Sequence, residues 1–353
     1  MNLLIANVGS TSLKFKVFEL PSENVLAEGK VEAIGRDSSP CSYRNHRGET
    51  RKAEAAVPGY EEAIQLSSDW LTDPEIGVLK SLGDLGAVGF KCVHARGVTG
   101  AVPLDDTALQ AMRDFEKVAF LHNPIYLQAI AAYRKRLPDS PLYALFETTF
   151  HQTIPPEAYR YAVPRAWETE LGIRRYGFHG ASHWYIAERV PAILGQPGEG
   201  LKIISCHLGG SSSLCAIRDG KSIDTSMGFS PQSGVPQSAR NGELDPFVVL
   251  YLIEEHGQTA EQVRNALCNE SGLLGLSNGL SADIPPLERA AEEGNADARL
   301  ALDCFVYEVA KHIGGLWVAC DGCDVLVFTG GIGERGKAIR GRVCERLGCL
   351  GIR

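Results

Sequence analysis

The segment NVGSTSLKFKVFEL, residues 7–20, sets Gly9-Ser10-Thr11-Ser12 between an apolar run, Leu3-Leu4-Ile5-Ala6, and an alternating one, Leu13-Lys14-Phe15-Lys16-Val17. Apolar alternation with period two marks a half-buried strand, so the segment predicts a tight hairpin at the start of the chain. Much later, His207-Leu208-Gly209-Gly210-Ser211-Ser212-Ser213-Leu214 repeats the plan with one extra residue. A repeated supersecondary unit points to a duplicated domain, with units expected over 1–150 and 151–353. Small-residue turns at strand ends offer backbone N–H groups and hydroxyls to phosphate. Two such turns facing each other across a cleft would cradle phosphates; the alternative is two ordinary β-turns.

Strands alternating with helices predict an α/β architecture. Residues 1–35 read as strands, 36–58 as irregular strands or a loop, 60–82 as a helix, 104–136 as a helical region, and Leu142-Tyr143-Ala144-Leu145-Phe146 as a strand. In the second half Leu201–Cys206 and Leu214–Ile217 read as strands around the second turn, with a hairpin turn at Asp219-Gly220. Residues 296–318 carry helical spacing, Asp324–Phe328 reads as a buried strand, Thr329-Gly330-Gly331-Ile332-Gly333-Glu334 as a glycine turn, and 337–347 as a helix. Strand, glycine turn, helix lets a backbone approach an anion.

The chain has 353 residues, 44% hydrophobic and 22% charged, with a net charge of -8. That balance suits a soluble enzyme of two domains and argues against a broad nucleic-acid surface. No apolar run is long enough to span a bilayer, and the start does not read as a signal peptide. Ten cysteines without a secretion signal read as reduced thiols, predicting a cytoplasmic protein. Cys320 and Cys323 have CxxC spacing, but their apolar surroundings favour buried thiols over zinc.

The chemistry-bearing clusters are Arg174-Arg175-Tyr176-Gly177-Phe178-His179-Gly180-Ala181-Ser182-His183, Ser238-Ala239-Arg240-Asn241-Gly242, Glu147-Thr148-Thr149-Phe150-His151 and Leu121-His122-Asn123-Pro124. His179 lies between glycines that argue against a helix there, so zinc ligation with His183 is not expected; His183 is read as capping a helix or packing near Trp184. Lys91 sits in an apolar strand and needs a partner, which an anionic ligand would supply. A carboxylate with lysine, histidine, arginine and glycine turns is an inventory for phosphoryl transfer, where catalysis is positioning and charge neutralisation.

In order along the whole chain, NVGSTSLKF, KCVH, FLHNP, FETTFHQTIP, RRYGFHGASH, CHLGGSSS, DTSMGFSPQSG, ARNGELDP, SGLLGLS and VFTGGIGE resemble the acetate kinase family, a branch of the sugar kinase and actin superfamily. The resemblance implies two duplicated ribonuclease-H-like (actin-like ATPase) domains with a cleft between them. It implies ATP and Mg²⁺, reversible conversion of a short carboxylate to an acyl phosphate, and a homodimer. By resemblance, His179, Arg240, Lys91 and Glu147 are catalytic, with His122 nearby. Val93, Leu121, Phe178 and Pro231 form the acyl pocket. Asn7, Ser10, Ser12, Lys14, His207, Gly209, Gly210, Ser211, Asp283, Gly330, Gly331 and Ile332 meet phosphate or nucleotide, and Asn7 and Glu147 the metal. The small pocket suits acetate or propionate, since one methylene is worth only about 1–3 kcal/mol of discrimination.

Against the family pattern, Lys91 replaces an arginine, Glu147 an aspartate, Gly210 an asparagine, Pro285 an arginine and Arg335 an asparagine. The family also continues past the position of Leu350-Gly351-Ile352-Arg353 into a strand and helix carrying a further acidic metal contact. The acyl side is therefore kept and the nucleotide side altered. The leading expectation is a carboxylate kinase using ATP. The alternatives are the same fold using pyrophosphate, another donor or another small acid, or a ligand-binding paralogue without turnover.

Overall fold

The computed structural model describes residues 1–9, 11–120 and 122–352; Ser10 and Leu121, both assigned to the site by resemblance, lie outside the described residues, as does Arg353. The chain divides into two compact units, Met1–Thr149 and Phe150–Arg353.

The first unit carries β1 (Asn2–Val8), β2 (Leu13–Glu19), β3 (Asn24–Val31), β4 (Ser39–Asn45), β5 (Thr50–Ala55), β6 (Leu85–Cys92), β7 (Ala101–Pro103) and β8 (Leu142–Phe146). Its helices are α1 (Tyr60–Leu71), α2 (Asp106–Asp114) and α3 (Asn123–Arg136). The strands form one sheet in the order β5-β4-β3-β2-β1-β6-β8-β7. β1 to β5 are successive antiparallel neighbours, while β1–β6 and β6–β8 are parallel. In β2, Leu13, Phe15 and Val17 are buried and Lys14 and Lys16 face out, as the alternation predicts.

The second unit carries α4 (Pro156–Tyr159), α5 (Arg165–Thr169), α6 (Gly180–Leu194), β9 (Lys202–His207), β10 (Ser213–Arg218) and β11 (Lys221–Thr225). There follow α7 (Pro246–Glu254), α8 (Ala260–Asn269), α9 (Gly272–Leu276), α10 (Ile284–Glu292), α11 (Ala296–Ala319), β12 (Val325–Thr329), α12 (Gly330–Arg335) and α13 (Lys337–Arg346). Its sheet runs β11-β10-β9-β12, with β9–β10 and β10–β11 antiparallel and β9–β12 parallel. This repeats β3-β2-β1-β6 of the first unit, strand for strand and sense for sense. Near the turn of each hairpin a polar pair faces across the strands: Asn7 with Lys14 across β1–β2, and His207 with Ser213 across β9–β10.

Unlike β2, the second sheet is covered on both faces. Ile204, Cys206, Leu214 and Ala216 pack with Phe305, Val309 and Ile313 of α11. Ile203, Cys215 and Ile217 pack with Ile186 and Val190 of α6. Period two then assigns Ser205, His207 and Ser213 to the α6 side.

Several elements differ from the sequence reading. The helix over 60–82 stops at Leu71, because Pro74 disfavours helical backbone at Asp73 and the Asp73 carboxylate accepts the N–H groups of Glu75 and Ile76. The helical region over 104–136 is two helices; α3 restarts with Pro124 in its first turn, where no N–H is missed. Residues 36–58 contain a regular hairpin, β4–β5, whose turn is held by Asn45 Oδ1 accepting from the Arg47 and Glu49 N–H groups. The turn at Thr329–Glu334 is the short helix α12, with Gly330 at φ 78° against the Leu208 carbonyl.

A Cβ on Gly330 would lie 2.6 Å from the Leu208 oxygen. Gly200 has a similar φ, 82°, with nothing within 4 Å. Gly200→Ala is therefore expected to cost about 1–2 kcal/mol, the left-handed backbone alone, and Gly330→Ala clearly more. Urea unfolding of both variants measures the difference.

Candidate active site

In the second unit the functional loop before α6 is fixed from three sides. Gly177 has φ 79°, and a Cβ there would sit 2.6 Å from the His151 ring and 2.7 Å from Thr225. His151 Nε2 donates to the Phe178 carbonyl at 3.2 Å. A carbonyl only accepts, so the His151 proton is on Nε2, and Nδ1 accepts from the Ser222 hydroxyl at 2.8 Å. His179 follows with φ 83°, and its carbonyl accepts from the Ser182 and His183 N–H groups. A histidine in left-handed backbone is a strained choice of the kind found at functional sites.

The His179 ring stacks on His207, with centroids 4.3 Å apart and planes 27° apart. His179 Nδ1 lies 2.7 Å from Ser213 Oγ, and His207 Nδ1 lies 2.8 Å from Ser182 Oγ. His183 is fully buried between Ser205 Oγ and Ser213 Oγ, both at 2.9 Å. This corrects the expectation that His183 caps a helix or packs near Trp184. The helix starts at Gly180, and positions 179 and 183 share one face of that turn. Trp184 turns outward and stacks on Phe150. Burial beside His151 and His207 holds His183 well below its usual pKa, so it is neutral.

Arg240 lies on the loop before α7. Its Nη1 meets Ser211 Oγ at 3.4 Å and Gln237 Oε1 at 3.3 Å, and it forms no ion pair among the described residues. Burial lowers its pKa, but a guanidinium remains charged in a protein. Gln237 is fully buried and ties the loop together. Its Oε1 accepts from Ser211 Oγ at 2.8 Å, and its Nε2 donates to the Pro231 carbonyl at 2.9 Å. Gly272, at φ 60°, lets α9 press on this loop; a Cβ there would lie 2.1 Å from the Gln237 oxygen. Phe178 and Pro231, the expected acyl-pocket residues of this unit, are both buried.

The second glycine-serine turn is closed on itself: Ser212 Oγ donates to the Gly209 carbonyl at 3.1 Å and accepts from its N–H at 3.2 Å. Gly210 is exposed, with its carbonyl accepting from the Ser238 N–H at 3.2 Å. Ile332, expected to meet phosphate or nucleotide, donates its N–H to the Leu208 carbonyl at 2.8 Å, as does Gly333 at 3.0 Å. Asp283 is exposed before α10, and Pro285 occupies that helix's first turn, a structural reason for proline there.

In the first unit Lys91 Nζ lies 2.7 Å from Glu147 Oε1. The sequence reading assigned Lys91 an anionic ligand as partner; the carboxylate supplies it, and the lysine side chain is 38% exposed while that of Glu147 is 6% exposed. Val93, which follows Lys91 closely in sequence, is buried, and Asn123 Nδ2 holds the next residue, donating to the His94 carbonyl at 2.9 Å. His122 precedes α3. Asn7 and Lys14 line a cavity of about 620 Å³ on the lysine-bearing face of the sheet, with Lys16, Lys30 and Phe18. Ser12 closes the first turn, its carbonyl accepting from the Gly9 N–H at 2.8 Å, and the Tyr60 hydroxyl donates to the Gly9 carbonyl.

No group of three or more His, Cys, Asp or Glu among the described residues could hold a metal ion. Asn7 and Glu147, the residues expected at the metal, each carry a side-chain oxygen, and a magnesium ion held chiefly by substrate phosphates and water needs only one or two protein ligands. Sequence reasoning missed Gln237, Ser205, Ser213 and Gly272. Ser205 alone left a signal, a polar residue inside the apolar run LKIISC.

The model of the Acetokinase family matches residues 2–353. The acetate kinase of Desulfitobacterium hafniense (strain DSM 10664 / DCB-2) is 41% identical over 354 residues, covering 100% of this chain and 88% of that protein. Among solved structures, Porphyromonas gingivalis acetate kinase matches with a TM-score of 0.86 at 36% identity, covering 99% of this chain and 88% of that one. A propionate kinase from Francisella tularensis subsp. tularensis SCHU S4 matches with a TM-score of 0.89 at 32% identity over the same shares.

Burial holds His94 down to about 3 and His183 well below its usual value. An unfolded histidine titrates near 6.5, so below that pH the unfolded chain binds protons the fold refuses. Stability is then complete above about pH 6.5 and falls with pH, by about 1.4 kcal/mol per pH unit for each histidine. Urea unfolding at pH 7.5, 6.0 and 5.0 checks this, and His94→Gln is expected to flatten the dependence.

Proposed function

This chain belongs to the acetokinase family, and from that premise we propose how its residues serve the reaction. It is a carboxylate kinase, transferring phosphoryl reversibly between ATP and a short-chain acid to give an acyl phosphate and ADP. Acetate or propionate is the acid that the buried Phe178, Pro231 and Val93 favour.

The observation that carries the assignment is Arg240, a half-buried guanidinium beside a hydroxyl and an amide oxygen with no ion pair among the described residues. Placing a cation there without a carboxylate is costly unless an anion arrives. A phosphoryl group in transfer is such an anion, and the guanidinium fork matches its oxygens. His179, stacked on His207, offers a ring N–H to the same group. Preorganised donors of this kind stabilise charge as it develops and need no reorganisation during the reaction.

In the first unit, Lys91 neutralises Glu147 and keeps a partly exposed ammonium for the anionic substrate. Mg²⁺ would be held by Glu147 and Asn7 together with phosphate oxygens, and when bound it neutralises phosphate charge. Ser12 and Lys14 of the first unit serve phosphate in this reading, and His207, Gly209, Gly210, Ser211, Asp283, Gly330, Gly331 and Ile332 of the second serve phosphate and nucleotide.

Self-association rests on α7. Its segment PFVVLYL is apolar on every side, yet none of its residues is buried. Phe247 is 72% and Tyr251 57% exposed. A helix hydrophobic all round is normally covered, and a second copy is the occupant we propose. All ten cysteines are free thiols, and among the described residues no helix is long and apolar enough to cross a membrane. Both fit a cytoplasmic enzyme.

With hydroxylamine trapping the acyl phosphate, the chain is expected to turn over acetate and propionate with ATP and Mg²⁺. His179→Ala and Arg240→Ala should each lower turnover by about 10²–10³; near wild-type rates in either would sink the assignment, and product from pyrophosphate but not ATP would change the donor. For α7, Phe247→Asp with Tyr251→Asp should convert a dimer to monomers by sedimentation. An unchanged sedimentation coefficient would place the interface elsewhere.

A further inference from the structure

Three hydrogen bonds run in series through the α6 side of the second sheet. Ser205 Oγ meets His183 Nδ1 at 2.9 Å, His183 Nε2 meets Ser213 Oγ at 2.9 Å, and Ser213 Oγ meets His179 Nδ1 at 2.7 Å. Ser205, His183 and Ser213 are each 0% exposed, so water does not complete any of these bonds.

The protons in this series are constrained. His183 pairs with two hydroxyls and no carboxylate, so in its buried site it is neutral and carries one ring proton. Each serine hydroxyl also has one proton. Only two arrangements satisfy all three bonds. In one, the Ser205 hydroxyl donates to His183 Nδ1, His183 Nε2–H donates to Ser213 Oγ, and the Ser213 hydroxyl donates to His179 Nδ1. A neutral His179 then carries its proton on Nε2. In the other, every bond is reversed: His179 Nδ1–H donates to Ser213, Ser213 to His183 Nε2, and His183 Nδ1–H to Ser205.

The reversed arrangement leaves the Ser205 hydroxyl proton without an acceptor, because His183 is its sole hydrogen-bond partner among the described residues. An orphaned buried donor is disfavoured by roughly tenfold or more in population. The forward arrangement leaves only a spare lone pair on Ser205, which costs far less.

We propose that Ser205, His183 and Ser213 are positioning residues that hold His179 in its Nε2–H tautomer, so that it meets the phosphoryl group as a neutral donor. The inference rests on the reading that His179 contacts that group. In the opposite tautomer His179 would present a bare nitrogen lone pair to a phosphoryl oxygen, and two acceptors repel. A neutral donor also suits the stack on His207, because no charge is placed 4.3 Å from that ring. Ser205 and Ser213 thus act on the reaction without touching substrate.

The test is long-range ¹H–¹⁵N NMR of the resting protein with labelled histidines, on wild type, Ser205→Ala, Ser213→Ala and His179→Ala, the last assigning the His179 signals. Wild type should show His179 protonated on Nε2. Ser205→Ala should move its ring-nitrogen shifts toward a tautomer mixture, and Ser213→Ala should move them further. The kcat should fall severalfold in Ser205→Ala and about tenfold or more in Ser213→Ala, with KM for acid and ATP within about twofold. A wild-type His179 protonated on Nδ1, or His179 shifts and kcat unchanged in both serine variants while His179→Ala is inactive, would overturn the relay and leave the functional reading standing. Full turnover by His179→Ala would instead overturn the functional reading.

Discussion

The guanidinium of Arg240, half-buried with no carboxylate to balance it, is the constraint around which the second unit is arranged. A charge in that position is tolerable only if its surroundings are polar, rigid and able to receive an anion. The surroundings are polar and rigid, and we propose that the anion is a phosphoryl group. Gln237 supplies the polar contact and is itself locked by Ser211 and the Pro231 carbonyl. Gly272 brings α9 close enough to hold the loop, which any side chain would prevent.

The same economy explains why the chemistry lies where it does in the duplicated sheets. Each copy sets a polar residue at or next to the end of its first strand opposite another on the returning strand, Asn7 with Lys14 and His207 with Ser213. In the first copy that face carries exposed lysines. In the second, α6 covers it, and Ser205 and Ser213 are buried against His183 and His179. One topology has thereby produced an open cationic face and a closed imidazole–hydroxyl network. The difference is whether a helix packs there, not which strands are present.

Much of this was legible in the sequence. Both hairpins, the repeat and most strands follow from period two, because a strand's side chains face alternate sides whatever surrounds it. His179 and Arg240 stood out as polar residues beside glycines. What escaped reading depends on contacts distant in sequence. The end of α1 at Leu71 turns on Pro74 and an Asp73 side chain, and the break before α3 on where Pro124 falls in a helical turn. Lys91 read as a lysine awaiting a ligand because Glu147, its partner, lies on a different strand's exit. Gln237 left no local mark at all. His183 was misread because glycines suggested loop, whereas Gly180 begins the helix and carries His183 onto the buried face.

The claim that Arg240 receives a phosphoryl group on its way to a carboxylate is most directly tested by following ³¹P NMR of the enzyme with ATP, Mg²⁺ and acetate. An acyl phosphate resonance should grow as the γ-phosphate signal declines, and no such resonance should form with Arg240→Ala. Loss of the γ signal to inorganic phosphate alone, or an acyl phosphate formed equally well without the arginine, would contradict the account.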